Sequence, residues 1–213
     1  MRFVTLLVLA VVGTACRSDV TLTPASPSPA ASTAVSPATA TAAAAPTAGA
    51  VTTLECVTSG PLVELTEGPY YKAGAPQRAS LMQSGLAGTP LTLTGAVVTR
   101  SCRPLANAKL DFWQADGSGN YDNSGYTLRG WQLTDAQGRY RLETVIPGLY
   151  PGRTEHIHVK VTPPGQPVLT TQLFFPGVPQ NDTDGIYLKE LELSMDYSAD
   201  PKTGTFDFVV NVP

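Results

Sequence analysis

Six short stretches of this chain alternate apolar and polar residues: PLTLTGAVVT (90–99), AKLDFWQA (108–115), GRYRLETV (138–145), EHIHVKVT (155–162), VLTTQLFF (168–175) and TFDFVVNV (205–212). Period-two alternation suits a strand with one buried face, and it gives a helix no continuous apolar stripe. Gly, Pro, Asn or Asp bounds each stretch, which marks turns rather than continued elements. Many short strands at close spacing predict an all-β domain, a β-sandwich with long loops and little helix. A small closed barrel is the runner-up. TDAQGRY (134–140) reads as a hairpin turn bent at Asp135 to Gly138. GIYLKELEL (185–193) leaves room for a short helix, and QRASLMQSG (77–85) reads as a loop or a single helical turn.

The N-terminal quarter is different in kind. MRFVTLLVLAVVGTAC (1–16) has one basic residue, an apolar run from Phe3 to Val12 and small residues before Cys16. That is a secretory signal in outline, too short for a comfortable membrane span. A cysteine directly after VGTA resembles a bacterial lipoprotein signal, with Cys16 the lipidated residue. Gly13 stands where such signals carry Leu, and an ordinary secretion signal with a chance cysteine is the alternative. Residues 17–52 are almost wholly Ala, Thr, Ser and Pro with no recurring apolar face. Such a segment cannot offset its ordering entropy and is expected to be a disordered tether. Residues 53–213 then form the folded domain, long enough for one core. The expected location is exported, lipid-anchored on a bacterial cell surface or periplasmic membrane face, and otherwise secreted; the only membrane contact expected is that anchor.

The net charge of −3 gives no basic footprint, so nucleic acid is not an expected partner. Cys56 and Cys102 fall inside the domain. In an exported protein such a pair is expected to form a disulfide, with buried free thiols or thiolate metal ligands as the alternatives.

The chain has two histidines, and both lie in one strand pattern, at His156 and His158. Residues i and i+2 of a strand face the same way, about 7 Å apart along it. They are either two surface side chains or two nitrogen ligands aimed at one point. Two imidazoles alone hold a metal poorly, and no HExxH or CxxC motif is present. Tyr150 lies six residues before His156, in IPGLYPGR, and Tyr121 lies in the glycine-rich DGSGNYDN. Loops of this kind carry function, although a single tyrosine in one commonly anchors it through its hydroxyl.

TEGPYY (66–71), AKLDFWQADGSGNY (108–121), LRGWQLTDAQGRYRLETVIPGLYPGRTEHIHVKV (128–161) and LTTQLFF (169–175) together resemble, in order, the intradiol ring-cleavage dioxygenases, closest in style to their exported single-domain bacterial members. The resemblance implies a β-sandwich holding one non-haem Fe(III) through Tyr121, Tyr150, His156 and His158. Phenolates are hard anionic donors that favour ferric iron, and imidazoles complete the set. It implies cleavage of catechol-type rings by O2 to cis,cis-muconate-type diacids, both oxygen atoms entering the product. Tyr150 would be the ligand that leaves as catechol binds, and Tyr121 would stay. Arg153 would stabilise charge developing on the ring, Gln172 would be an amide beside the histidines and substrate, and Pro69 and Tyr71 would line the substrate mouth. Trp113 and Trp131 read as core, although the position of Trp131 just after Arg129 leaves room for it near the pocket. Glu155 stands where many relatives have Pro or Ala, and either adds charge near the site or faces solvent. The long helical region of the catechol dioxygenases has no legible counterpart, which leaves oligomeric state and choice of catechol open. The competing reading is an exported β-sandwich binding module for carbohydrate or peptide, with zinc or no metal.

Overall fold

The fold is that of a computed structural model, which describes residues 60–212. The signal, the tether, Cys16 and Cys56 lie outside the described residues. The strands are β1 (Pro90–Thr99), β2 (Lys109–Trp113), β3 (Arg129–Leu133), β4 (Arg139–Val145), β5 (His156–Thr162), β6 (Leu169–Phe174), β7 (Ser194–Asp196), β8 (Lys202–Thr205) and β9 (Phe208–Val210). One sheet has the order β3-β2-β5-β6 and is antiparallel throughout. The other has the order β4-β1-β8-β7, with β9 also on β1. The length of β1 lets it pair in parallel with β8 through Leu91–Thr94 and with β9 through Val97–Thr99.

The apolar half of the alternation fills the space between the sheets. Leu93, Val97, Leu142 and Phe208 from one sheet meet Leu110, Phe112, Val159 and Leu173 from the other, all fully buried. The architecture is thus the sandwich, as the sequence predicts.

Two details depart from expectation. Gly138 closes a tight turn onto the Asp135 carbonyl at 2.9 Å, yet β3 and β4 belong to different sheets. The turn therefore carries the chain across the sandwich and is not a hairpin, because β4 takes a seven-residue register with β1 while β3 pairs with β2. No α-helix forms over 185–193; a three-residue 3-10 turn, Lys189–Leu191, stands there. The Leu193 N–H bonds the Phe174 carbonyl at 2.9 Å, and Leu191 is buried, so the chain is drawn alongside β6 before a helix can propagate. Residues 77–85 form a loop, one of the two readings of that stretch, with the Arg78 N–H bonded to the Trp131 carbonyl and the Leu81 N–H to the Glu143 carbonyl.

A further feature positions the site. The polar face of the β3-β2-β5-β6 sheet, where alternation alone leaves water as the default neighbour, is covered. Asp111, Trp113, His156 and His158 are all buried. The cover is the segment from Leu62 to Leu81. Leu65 bonds the Thr170 carbonyl, Tyr71 packs edge-on against Trp113, and Glu67 pairs with Lys160 at 2.5 Å. Leu81 anchors its far end in the core with no exposed surface, a burial that contributes about 1.5–3 kcal/mol.

Candidate metal centre

Two loops bring the tyrosines together. Tyr121 follows a turn organised by Asp116, whose carboxylate accepts the Ser118 and Asn120 N–H groups. The Asp116 carbonyl accepts Gly148 N–H at 2.8 Å, tying this loop to the one that carries Tyr150. The two backbones are so close that a Cβ on Gly119 would lie 2.1 Å from the Leu149 carbonyl oxygen. Only glycine tolerates that approach at a φ of +82°. The Tyr121 and Tyr150 rings then meet edge to face, centroids 6.1 Å apart.

The histidines lie beneath them on β5, and neither is a surface side chain. His158 stacks on the Trp113 indole, centroids 4.7 Å apart and planes within 8°. His156 Nδ1 lies 2.6 Å from the Thr154 carbonyl. A carbonyl only accepts, so Nδ1 carries the proton and Nε2 presents a bare lone pair. The two Nε2 atoms stand 3.2 Å apart, and the Tyr121 hydroxyl is 3.4 Å from His156 Nε2. Burial, then the charge of Arg153, pushes His156 down to about 4. Burial and the neighbouring His156 push His158 down as well. Both rings are therefore neutral at physiological pH. Burial pushes the Tyr121 hydroxyl well above the usual phenol value, while the charges of Arg153 and Arg129 pull against it.

This donor set fits a cation. If both histidines carry their proton on Nδ1, two lone pairs face each other at 3.2 Å. If His158 instead donates from Nε2, its buried Nδ1 still finds no partner. A metal bound on the Nε2 side removes the repulsion. Gly68 leaves room beside it, since a Cβ there would sit 3.3 Å from His158 Cε1. Among the described residues, no three His, Cys, Asp or Glu side chains cluster as a metal site. The further donor brought beside the imidazoles is the Tyr121 phenol, its oxygen 3.4 Å from His156 Nε2.

The charged groups around the site form one chain of contacts. Arg153 donates to Gln172 Oε1 at 2.6 Å and to Asp184 Oδ2 at 2.8 Å. Gln172, fully buried opposite His158 in the β5–β6 register, donates to the Thr66 carbonyl at 3.0 Å. Tyr150 and Arg153 also line a cleft of about 560 Å³ with Leu149, Pro151, Gln180 and Thr183.

A family profile described as Dioxygenase matches residues 66–211. Catechol 1,2-dioxygenase of Acinetobacter baylyi is 30% identical over 61% of this chain and 51% of its own length. 6-Chlorohydroxyquinol 1,2-dioxygenase of Cupriavidus pinatubonensis is 29% identical over 68% of this chain and 62% of its own. The chain belongs to the intradiol ring-cleavage dioxygenase family. Among solved structures, the dioxygenase domain of a dioxygenase carbohydrate-binding protein fusion from a cellulolytic Streptomyces superposes with a TM-score of 0.70 at 50% identity, covering 72% of this chain and all of that one. 3-Chlorocatechol 1,2-dioxygenase of Rhodococcus opacus superposes with a TM-score of 0.66 at 29% identity, covering 71% of this chain and 73% of that one. The chain spans about half the length of the first curated relatives it matches.

Within this family member, the sequence-derived site residues fall in different layers. Tyr121, His156 and His158 converge, and Arg153 and Gln172 are bonded to each other beside them. The Tyr150 hydroxyl is turned to Tyr70, 3.0 Å away. Pro69 is exposed. Tyr71 lies behind the histidines, against Trp113 and bonded to Asp111 at 3.3 Å. Trp113 is buried as expected, and Trp131 packs under Lys109. Glu155 faces away from its neighbour His156, its carboxyl pushed up by burial and its charge felt at Tyr197.

Sequence reasoning missed Tyr70, Arg129 and Asp184. Tyr70 stacks on Tyr121 with centroids 4.4 Å apart and planes within 13°. Arg129 is 1% exposed and donates twice to the Asp122 carbonyl and once to that of Tyr70. The signal for Tyr70 was the doubled tyrosine of GPYY, where neighbouring side chains diverge. Nothing local marks Asp184, and Arg129 entered the sequence reading only through its closeness to Trp131.

Proposed function

We propose that this chain is an exported, iron-dependent intradiol dioxygenase that opens catechol-type rings with O2 to cis,cis-muconate-type diacids. The observation that carries it is the convergence of two neutral imidazoles and a half-buried phenol on one point, at 3.2 and 3.4 Å. Tyr121, His156, His158 and Tyr150 would hold the metal. When bound, ferric iron supplies a Lewis acid that takes the catechol through its oxygens and makes the ring the partner for O2.

The chain's own residues do the rest. The Thr154 carbonyl fixes the His156 tautomer, so Nε2 is available without reorganisation. Arg153 and Arg129 favour the anionic form of Tyr121, which burial alone opposes. Arg153, held by Asp184 and Gln172, is poised to stabilise negative charge on a bound ring. The cleft beside Tyr150 and Arg153 is the route for substrate. The overall reaction adds both atoms of O2 to the catechol and needs no external reductant. The N-terminal 16 residues support export, with Cys16 as the proposed lipid site.

The test is purification with iron, a visible spectrum and oxygen uptake. A tyrosinate-to-Fe(III) band, with uptake on catechol, protocatechuate, hydroxyquinol or a chlorinated catechol, is the expected result. A colourless protein that holds zinc and consumes no oxygen with any of them overturns the reading. His158→Ala and Tyr121→Phe are expected to lose iron and turnover together.

A further inference from the structure

The turn that follows β6 serves two neighbours. Its 3-10 segment is Pro179–Asp182. Gln180 and Thr183 line the cleft beside Tyr150 and Arg153. Asn181 and Asp184 are buried, and both meet Thr154, which has no exposed surface. Thr154 follows Arg153 directly and precedes His156 by two residues.

Each hydrogen bond in this cluster has one permitted direction. Asn181 Nδ2 faces the Phe175 carbonyl at 2.9 Å and Glu192 Oε1 at 3.4 Å. A carbonyl and a carboxylate only accept, so the amide nitrogen stands there and Oδ1 is turned to Thr154. Oδ1 also only accepts, so the Thr154 hydroxyl donates to it, at 2.5 Å. The Thr154 N–H donates to Asp184 Oδ2 at 2.9 Å, and the Thr154 carbonyl accepts His156 Nδ1–H at 2.6 Å. Thr154 is thus held by its N–H and its hydroxyl, and its carbonyl in turn holds the imidazole. Asn181 has its own anchor, because its N–H bonds the Val178 carbonyl at 3.0 Å.

We propose that Asn181 is a positioning residue for His156, acting through Thr154. It lies 27 residues from Thr154 in sequence. It fixes the residue whose carbonyl fixes Nδ1–H, and so sets where Nε2 points. The inference rests on the iron site proposed above and adds a determinant that the cleft turn supplies. An imidazole released at Nδ1 turns about its own side chain and carries Nε2 away from His158 Nε2 and the Tyr121 hydroxyl. The partner of a ligand's second nitrogen is worth about 10–100-fold in metal affinity. One contact further out, a loss of about 10-fold is the expected effect.

The test is Thr154→Val and Asn181→Ala in the full chain, with Thr154→Ser as the conservative control. Valine keeps the branched shape and removes the hydroxyl. Two readouts are taken beside thermal unfolding. The first is the nitrogen NMR signals of the His156 ring in metal-free protein, which report the tautomer directly. The second is Co(II) affinity, followed by its visible spectrum. Wild type and Thr154→Ser are expected to show His156 protonated on Nδ1 alone and equal Co(II) affinity. Thr154→Val and Asn181→Ala are expected to mix the two tautomers and to bind Co(II) about 10-fold more weakly. If Thr154→Val does not fold, Asn181→Ala carries the same readings, since it lies on a turn with some access to water. Variants that melt earlier but keep one tautomer and wild-type affinity overturn the proposal, because the contact is then structural only. A wild type that takes up neither Co(II) nor iron overturns the iron reading itself. A wild type that takes up both, with unchanged variants, overturns this inference alone.

Discussion

Arg153 and Asp184 lie 31 residues apart in sequence and 2.8 Å apart in space. That one contact joins the loop after β6 to the site, because the same Asp184 oxygen accepts the Thr154 N–H two residues before His156. Asp184→Ala would leave Arg153 partly buried without its partner and would free the Thr154 N–H. The expected cost is about 3 kcal/mol, at the low end for a broken buried pair because Arg153 keeps some contact with water. Urea unfolding of the two proteins measures it, and a difference within experimental error would show the pair to be incidental.

The same pair sets an acid limit. Burial pushes Asp184 up, but hydrogen bonds from the Thr154 and Ile186 N–H groups and from Arg153 outweigh it and hold the carboxyl below its ordinary 3.8. A depressed folded-state pKa contributes stability that is present above the unfolded value and lost as pH falls through the folded one. The stability gap between wild type and Asp184→Asn is therefore expected to be constant near neutrality and to shrink below about pH 4. Unfolding free energies of both proteins from pH 7 to pH 2.5 check the sign; a gap that grows on acidification contradicts it.

Arg129 is expected to resist even conservative change. Its fork bonds the Asp122 carbonyl from two nitrogens and the Tyr70 carbonyl from a third. Lysine cannot reproduce that geometry. Arg129→Lys is expected to lose about 1–3 kcal/mol of stability, and to weaken iron retention because both the Tyr121 loop and the Tyr70 segment are released. Thermal unfolding and iron content, measured on the same preparation, are the readouts.

Trp113 holds His158 by a flat stack at 4.7 Å. Trp113→Ala should cost about 3–5 kcal/mol as a core truncation and lower iron content, since His158 would lose the surface that orients it. Trp113→Phe, which keeps an aromatic face, is expected to retain more of both. Equal iron content in all three proteins would show that the stack plays no part in orienting the ligand.

Cys102 is disulfide-bonded, and we propose Cys56 as its partner. Closure of that loop should contribute about 4 kcal/mol on the chain-entropy model. Peptide mapping of unreduced protein from its native compartment decides the pairing, and free Cys56 there would exclude it.

The strands β1, β2, β4, β5 and β6 were legible because a two-residue period reports one buried face directly. Strands β7 and β8 were not, since SMD and KTGT carry no such period and are strands only because β1 supplies β8 with a ladder. The helix expected over 185–193 failed for a related reason. The backbone bond from Leu193 to Phe174 draws the segment alongside β6 instead.

The sequence placed both histidines on one strand face, and it was the resemblance to the family, not any local spacing, that singled out Tyr121 and Tyr150 beside them. What it could not determine was burial. The alternation of β5 placed His156 and His158 on the outward face, where water is the default neighbour. The Leu62–Leu81 segment, folded back over that face, buries the imidazoles, which pushes both below their ordinary value, and stacks Tyr70 on Tyr121. Arg129 and Asp184 became legible in the same way. A buried charge is fixed by the carbonyls and carboxylates that surround it, and those arrive from segments distant in the chain that no local pattern connects.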